Sequence, residues 1–275
     1  MKYALRLSYL GKNYCGWQRQ SRNPEKKPLL PSIQEIVEAA LSKMIDAETT
    51  VVSSGRTDAG VNSTAQIAHF WCENPKLTAE IFYRGLNSLL PMDVRVMEVH
   101  NVPDEFHAQR SAIKKQYSYY FQQGPCTLPQ FMDSSFWISR ELDVGAMQTA
   151  LSLLIGEHDF KSFQATGSKP EMSTVRTILE AEVTREPMPA FPGQDLNERG
   201  FFMVRIRIVG TGFLKQMVRG IAGTLLQIGE KRRNPLEMAE ILASKNRALV
   251  GPTAPAKGLT LERVWYKPDL YGNPN

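Results

Sequence analysis

Polar and apolar residues alternate from the start of the chain. Over 2–9, Tyr3, Leu5, Leu7 and Tyr9 fall on one face and Lys2, Ala4, Arg6 and Ser8 on the other, which predicts a strand with one buried side. A basic, proline-containing loop follows, with Arg19, Arg22, Pro24, Lys26, Lys27, Pro28 and Pro31. The period then becomes helical. Ser32 and Glu35 have capping-box spacing, and Ile33, Ile36/Val37, Ala40/Leu41 and Met44/Ile45 form the apolar stripe behind them. Strands near 49–53 and 65–71 flank SSGRTDAGVNS, and a helix near 78–88 and a strand near 93–99 come next.

In the second half, the strand near 115–122 alternates strictly. Lys115, Tyr117, Tyr119 and Phe121 share one face, and Gln116, Ser118, Tyr120 and Gln122 the other. A helix near 143–154 and strands near 175–185 and 201–209 follow, the two strands joined by the Pro- and Gly-rich stretch REPMPAFPGQDLNERG, a long hairpin loop. Helices near 213–229 and 235–244 and a strand near 259–266 complete the pattern, with a loosely packed tail expected after Trp265. Both halves mix strands with helices that suit one face of a sheet. The fold class is therefore read as α+β with a weak internal duplication, divided into 1–108 and 109–275.

Composition narrows the function classes. The 275 residues are 42% hydrophobic and 22% charged, which suits a folded soluble chain and not a disordered one. No apolar run is long enough for a membrane span, and the first residues lack the apolar core of a signal peptide. Three scattered cysteines, Cys15, Cys72 and Cys126, read as reduced thiols in a cytoplasmic protein, small buried hydrophobes in effect. His69, His100, His107 and His158 lie in no metal-ligand spacing, so no metal is expected. A net charge of +5 leans modestly toward a polyanionic partner.

Three segments could carry chemistry. Gly210-Thr211-Gly212 resembles the opening of a dinucleotide fingerprint, but Lys215 stands at the third glycine position and no βαβ pattern surrounds it. The helix predicted from Phe213 to Ile228 is apolar nearly all round, yet it carries Lys215 and Arg219 at i and i+4. A buried arginine needs an acidic or polar partner, whether in a structural ion pair or in a site. In Ser54-Gly55-Arg56-Thr57-Asp58-Ala59-Gly60-Val61, two glycines bracket an Arg-Thr-Asp triplet between strands. That is either a polar turn or a loop presenting Asp58 into a cleft.

SGRTDAGV resembles the active-site motif of the tRNA pseudouridine synthases of the A family. YLGKNYCGWQRQ at 9–20, EFHAQR at 105–110, SAIKKQYSYYF at 111–121, GTGFLKQMVRGIAG at 210–223 and GPTAPAKGLTLERVWY at 251–266 are similar to further family segments, in the same order. The resemblance implies the pseudouridine synthase fold: two related subdomains whose mostly antiparallel sheets form a continuous floor under a central cleft. It implies Asp58 as nucleophile, Arg219 as its charge partner, Tyr117 against the target base, and Arg56 and Arg110 as RNA or active-site contacts. It also implies a cofactor-free homodimer acting on tRNA uridines 38, 39 and 40. Asn62 departs from the His, and Gln116 from the Arg or Lys, common in the family at these places.

Pseudouridine formation detaches uracil from ribose, rotates it and rejoins it through carbon. A carboxylate can attack ribose or base, or stabilise a charged sugar and assist proton removal. It must be ionised to do so, and a guanidinium nearby favours that form. Flipping the base costs a few kcal/mol, and an aromatic face recovers about 1–3 kcal/mol. Arg19, Arg22, Lys26, Lys27, Lys114, Lys115, Lys231, Arg232 and Arg233 are candidate phosphate contacts. Two rival readings are a tRNA-binding protein of the same fold without catalysis and an aspartate-based glycoside hydrolase. The second would want another carboxylate near Asp58, and SGRTDAGVNS supplies none.

Overall fold

The computed structural model describes residues 1–20, 30–167, 173–188 and 196–267. Its elements, in chain order, are β1 (Lys2–Tyr9), α1 (Ile33–Ile45), β2 (Val52–Ser53), β3 (Asn62–Trp71), α2 (Ala79–Leu89) and β4 (Val94–Val102). Then come β5 (Lys114–Gln123), β6 (Phe136–Ile138), α3 (Val144–Ser152), β7 (Gly156–Asp159), β8 (Val175–Pro187) and β9 (Phe202–Gly210). The last three are α4 (Met217–Gly229), α5 (Glu237–Ser244) and β10 (Leu259–Trp265). The architecture is α+β. The chain forms two compact units: Met1–Lys115 joined by the segment from Leu261 onward, and Gln116–Thr260.

In the first unit the strand order is β4-β1-β3-β10, with β2 beside β3. β1 is antiparallel to both β3 and β4, and Tyr3 lies opposite Phe70. Tyr3, Leu5, Leu7 and Phe70 join Ile33, Val37 and Leu41 of α1 and Phe82 and Leu86 of α2 in one buried cluster. The Phe70 and Phe82 rings meet edge-on at 4.9 Å. The capping box at Ser32 and Glu35 forms as its spacing predicts, so α1 begins where the sequence places it. The other face of β1 is less exposed than alternation suggests: Lys2 and Ala4 are also buried. β1 is an inner strand, and Lys2 bends its ammonium group onto the backbone of residues 104–106.

In the second unit the order is β5-β9-β8-β7, with the short β6 running parallel to β5. β8 and β9 form a long antiparallel hairpin. Half of the connection between them, 189–195, lies outside the described residues. α3 packs on β8 and on α4, whose Ile221, Leu225 and Ile228 are buried. β5 is covered on both faces: Ser118 and Gln122 are as buried as Tyr119 and Phe121.

The helix predicted from 213 begins only at Met217, because Gln216 takes a left-handed conformation (φ 60) that α-helix cannot run through. Lys215 therefore precedes the helix and does not stack with Arg219 as an i, i+4 pair. Its carbonyl accepts the Ala165 amide at 3.1 Å.

Candidate active site

The Asp58 loop, 54–61, is fixed at its entry by β3 and Lys115. The Ser54 amide donates to Ile67 O at 2.7 Å and its hydroxyl donates to Gln66 Oε1 at 2.6 Å. Gln66 Nε2 donates back to Gly55 O at 2.7 Å. Lys115 Nζ donates to Ser54 O at 2.6 Å, and its burial pushes the ammonium pKa below the ordinary lysine value. This lysine, read from the sequence as a phosphate contact, is a brace for the loop. At the exit, Gly60 adopts φ +76, a region that side chains resist, as the Val61 amide turns back to Asp58 O at 3.2 Å.

The end of β1 and the segment after it press on the same loop. The Tyr9 hydroxyl lies 2.9 Å from Thr57 Oγ1, and burial pushes its phenol up to about 12, so it stays protonated. The Trp17 amide donates to Thr57 O at 3.1 Å. Gly16, at φ +102, sits so close that a Cβ there would come within 2.6 Å of Thr57 O. Asn62, with only 3% of its surface exposed, accepts the Gly11 amide at 2.8 Å. It is a structural residue here, whatever stands at this place elsewhere. With Thr57 buried, Asp58 half-buried and Arg56 and Ala59 exposed, the loop offers one carboxylate from a fixed backbone. Such rigidity matters, because misplacing a reacting group by about 1 Å can cost about a hundredfold in rate.

In the second unit, Tyr117 is 8% exposed, and its ring meets Phe213 edge-on at 5.1 Å. Two residues on, the buried Tyr119 donates its hydroxyl to Pro255 O at 2.8 Å. Burial raises the Tyr119 pKa, and the Arg219 charge opposes that shift. Arg219, half-buried on α4, exchanges bonds with Ala254: its Nε donates to Ala254 O at 2.9 Å, and the Ala254 amide donates to Arg219 O at 3.1 Å. Thr224 Oγ1 accepts the Gly251 amide at 3.0 Å. The 251–255 stretch is thus laced along the helix that carries Arg219. Sequence reading singled out GPTAPAKG by likeness alone; its bonds to α4 and Tyr119 give it a physical role.

The structure brings Asp58 and Arg56 together on one loop and puts Arg110 in the same unit, exposed. Tyr117 and Arg219 belong to the second unit. The other basic candidates divide. Arg19 pairs with Glu38 at 3.2 Å, Arg232 with Glu230, and Arg233 donates to Leu249 O at 2.8 Å. Lys114 lies over the Trp265 ring at 4.6 Å. Lys231 is exposed. Arg22, Lys26 and Lys27 lie outside the described residues. Sequence reasoning missed the braces Tyr9, Gly16 and Gln66; Tyr9 and Gly16 stood inside YLGKNYCGWQRQ, a segment marked by its likeness, whereas Gln66 stood in none.

Among the described residues no His, Cys, Asp and Glu side chains group as metal ligands, and no helix is long and apolar enough to cross a membrane. The family model described as tRNA pseudouridine synthase matches residues 7–109 and 150–267. The chain is 38% identical over 266 residues to the tRNA pseudouridine synthase A of Colwellia psychrerythraea, covering 97% of this chain and 94% of that one. It is 35% identical over 264 residues to that of Francisella tularensis subsp. tularensis, covering 96% and 93%. A crystal structure of a Cbf5-Nop10-Gar1 complex is similar to a lesser degree, with a TM-score of 0.32 at 12% identity over 94% of this chain and 58% of that one. On the family match and the extent of these identities, the chain belongs to the tRNA pseudouridine synthase family and is an isomerase of tRNA uridine.

Proposed function

We propose that the uridines are those at positions 38, 39 and 40 of the anticodon stem-loop, and that Asp58 is the nucleophile. Arg219 is then its charge partner, Tyr117 the face against the flipped base, and Arg56 and Arg110 hold the RNA. The Asp58 carboxylate opens the glycosidic bond, the freed uracil turns, and C5 bonds to C1′ in place of N1. The C5 proton leaves and N1 gains one, so the product is an isomer and no redox partner is consumed. No cofactor enters this scheme. The enzyme acts as a homodimer in the cytoplasm.

The observation that supports this reading is the bracing of one loop from both sides, with a single half-buried carboxylate at its tip. Drawing the partly buried Lys115 ammonium out of water onto the Ser54 carbonyl is costly, and it fixes the backbone of the loop that carries Asp58. The test is Asp58→Asn, which keeps shape and removes the carboxylate. Pseudouridine formation should vanish while tRNA affinity stays within about tenfold. Turnover at a tenth of the wild-type rate or more would refute the assignment.

A further inference from the structure

Three buried polar side chains of the first unit converge on one short segment and grip it by its backbone. Lys2 of β1, 7% exposed, donates from Nζ to Asp104 O at 2.5 Å and to Phe106 O at 2.6 Å. His69 of β3, 5% exposed, accepts the Ala108 amide on Nδ1 at 3.1 Å. Tyr266, just beyond β10, donates its hydroxyl to Ala108 O at 2.7 Å. Ala108 is thus held at both its amide and its carbonyl. Beyond it the chain makes a tight turn. The His107 amide donates to Ser111 Oγ at 3.1 Å, the Ser111 amide to His107 O at 2.8 Å, and the Arg110 amide to His107 Nδ1 at 3.2 Å. Arg110 stands exposed at the tip of this turn, two residues from the grip.

His69 also engages the strand that leads into the Asp58 loop. It lies opposite Val52 of β2 and engages the Val52 backbone, and β2 runs directly into 54–61. One imidazole therefore ties the strand leading to Asp58 to the turn carrying Arg110. Burying a lysine, a histidine and a phenol on backbone atoms is an expensive way to fill a core; apolar side chains of the same volume would be as stable or more so. What such a polar network adds is a defined conformation. The imidazole stays neutral, and its Nδ1 lone pair available: burial pushes the pKa down to about 4, and the charges of Lys2, His107 and Arg110 add to that.

We propose that His69, seconded by Lys2 and Tyr266, is a positioning residue of the reaction: it sets the 107–111 turn so that Arg110 meets the tRNA. This rests on the reading of Arg110 as an RNA contact. Atoms of the RNA never touch His69; it acts through the Ala108 amide.

The experiment compares KM and kcat for tRNA in wild type, Arg110→Ala, His69→Leu, His69→Asn and His69→Leu/Arg110→Ala. Arg110→Ala should raise KM about tenfold, as loss of a charged hydrogen bond does. His69→Leu should raise KM about five- to tenfold with kcat within about twofold. His69→Asn, whose Oδ1 can take the place of Nδ1, should return KM to within about twofold of wild type. The double variant should be no worse than Arg110→Ala, since the two changes break one interaction. If His69→Leu does not fold, Tyr266→Phe serves instead, with a KM rise of about threefold that Arg110→Ala likewise masks. A wild-type KM in His69→Leu or in Arg110→Ala, an Asn variant as poor as Leu, or multiplying effects in the double variant overturns the proposal. A wild-type enzyme that makes no pseudouridine in tRNA fails the functional reading itself, a result these variants cannot imitate.

Discussion

At the scale of single residues, Tyr117 and His69 make separable predictions. The Tyr117 ring is largely buried and meets Phe213 edge-on at 5.1 Å, a contact worth about 0.5–1.5 kcal/mol. Tyr117→Phe keeps that contact and the aromatic face, so stability and tRNA binding should hold. Tyr117→Ala loses the face as well and should weaken engagement of the flipped base by about 1–3 kcal/mol. Thermal unfolding beside turnover checks this: a loss of about 3–5 kcal/mol of stability with normal activity in the folded fraction would place the ring in the core alone. His69 predicts a pH effect. Its folded pKa of about 4 lies below the unfolded value of 6.5, so the unfolded chain binds the extra proton between those limits. Stability is full above about pH 6.5 and declines as pH falls toward 4, by a total on the order of 3 kcal/mol for this group. His107, also pushed down, mainly by burial, acts in the same direction. Denaturant melts of wild type and His69→Asn across that range should converge as the pH falls; parallel curves would mean that His69 carries no such linkage.

Elements differ in how plainly the sequence announces them, and the difference is physical. β1 and α1 are legible because each is specified locally, β1 by alternation and α1 by a capping box and an apolar stripe. β6 and β7 are not: three and four residues with no clear period become strands only by pairing with β5 and β8. The late start of α4 was hidden for another reason. Apolar periodicity runs unbroken through Phe213 and Leu214, and nothing in Gln216 announces a left-handed residue. The site shows the same division. Asp58 and Arg56 declare themselves through a Gly-bracketed motif, whereas Tyr9, Gln66 and Lys115 hold that motif from elsewhere in the fold, and nothing in their own segments announces that contact. Two substitutions separate local from functional cost. Ser32→Ala breaks the capping box and should cost about 1 kcal/mol of stability with turnover unchanged. Gly16→Ala drives a Cβ into the Thr57 carbonyl from a backbone at φ +102, so it should displace the Asp58 loop and cut kcat by at least about tenfold. Equal loss of activity in the two variants would show that the loop is not specially sensitive to its bracing.

For the whole molecule, the question is how a modest charge excess serves a large polyanion. A net +5 is small against the charge of a tRNA, and Arg19 and Arg232 have acidic partners in the folded chain. Affinity must then come from a limited set of placed cations. Each phosphate they neutralise releases counterions and adds to the slope of log affinity against log salt. With about four such contacts, tRNA binding should weaken by roughly a hundredfold between about 50 and 200 mM salt. The variants sort themselves on this scale. Asp58→Asn removes the negative charge of the proposed nucleophile and no cation, so its slope should match wild type. Arg110→Ala should flatten the slope by about one contact. His69→Leu should flatten it too if the 107–111 turn no longer presents Arg110. The slopes are to be measured alongside sedimentation of the free enzyme, since a homodimer offering both subunits' cations to one tRNA would lose part of its slope on dilution into monomers. A wild-type slope near zero would mean that the basic residues are solvated surface and that recognition rests on the base and the shape of the RNA. A fully active monomer at every concentration would remove the second subunit from the account and leave the whole slope to one chain.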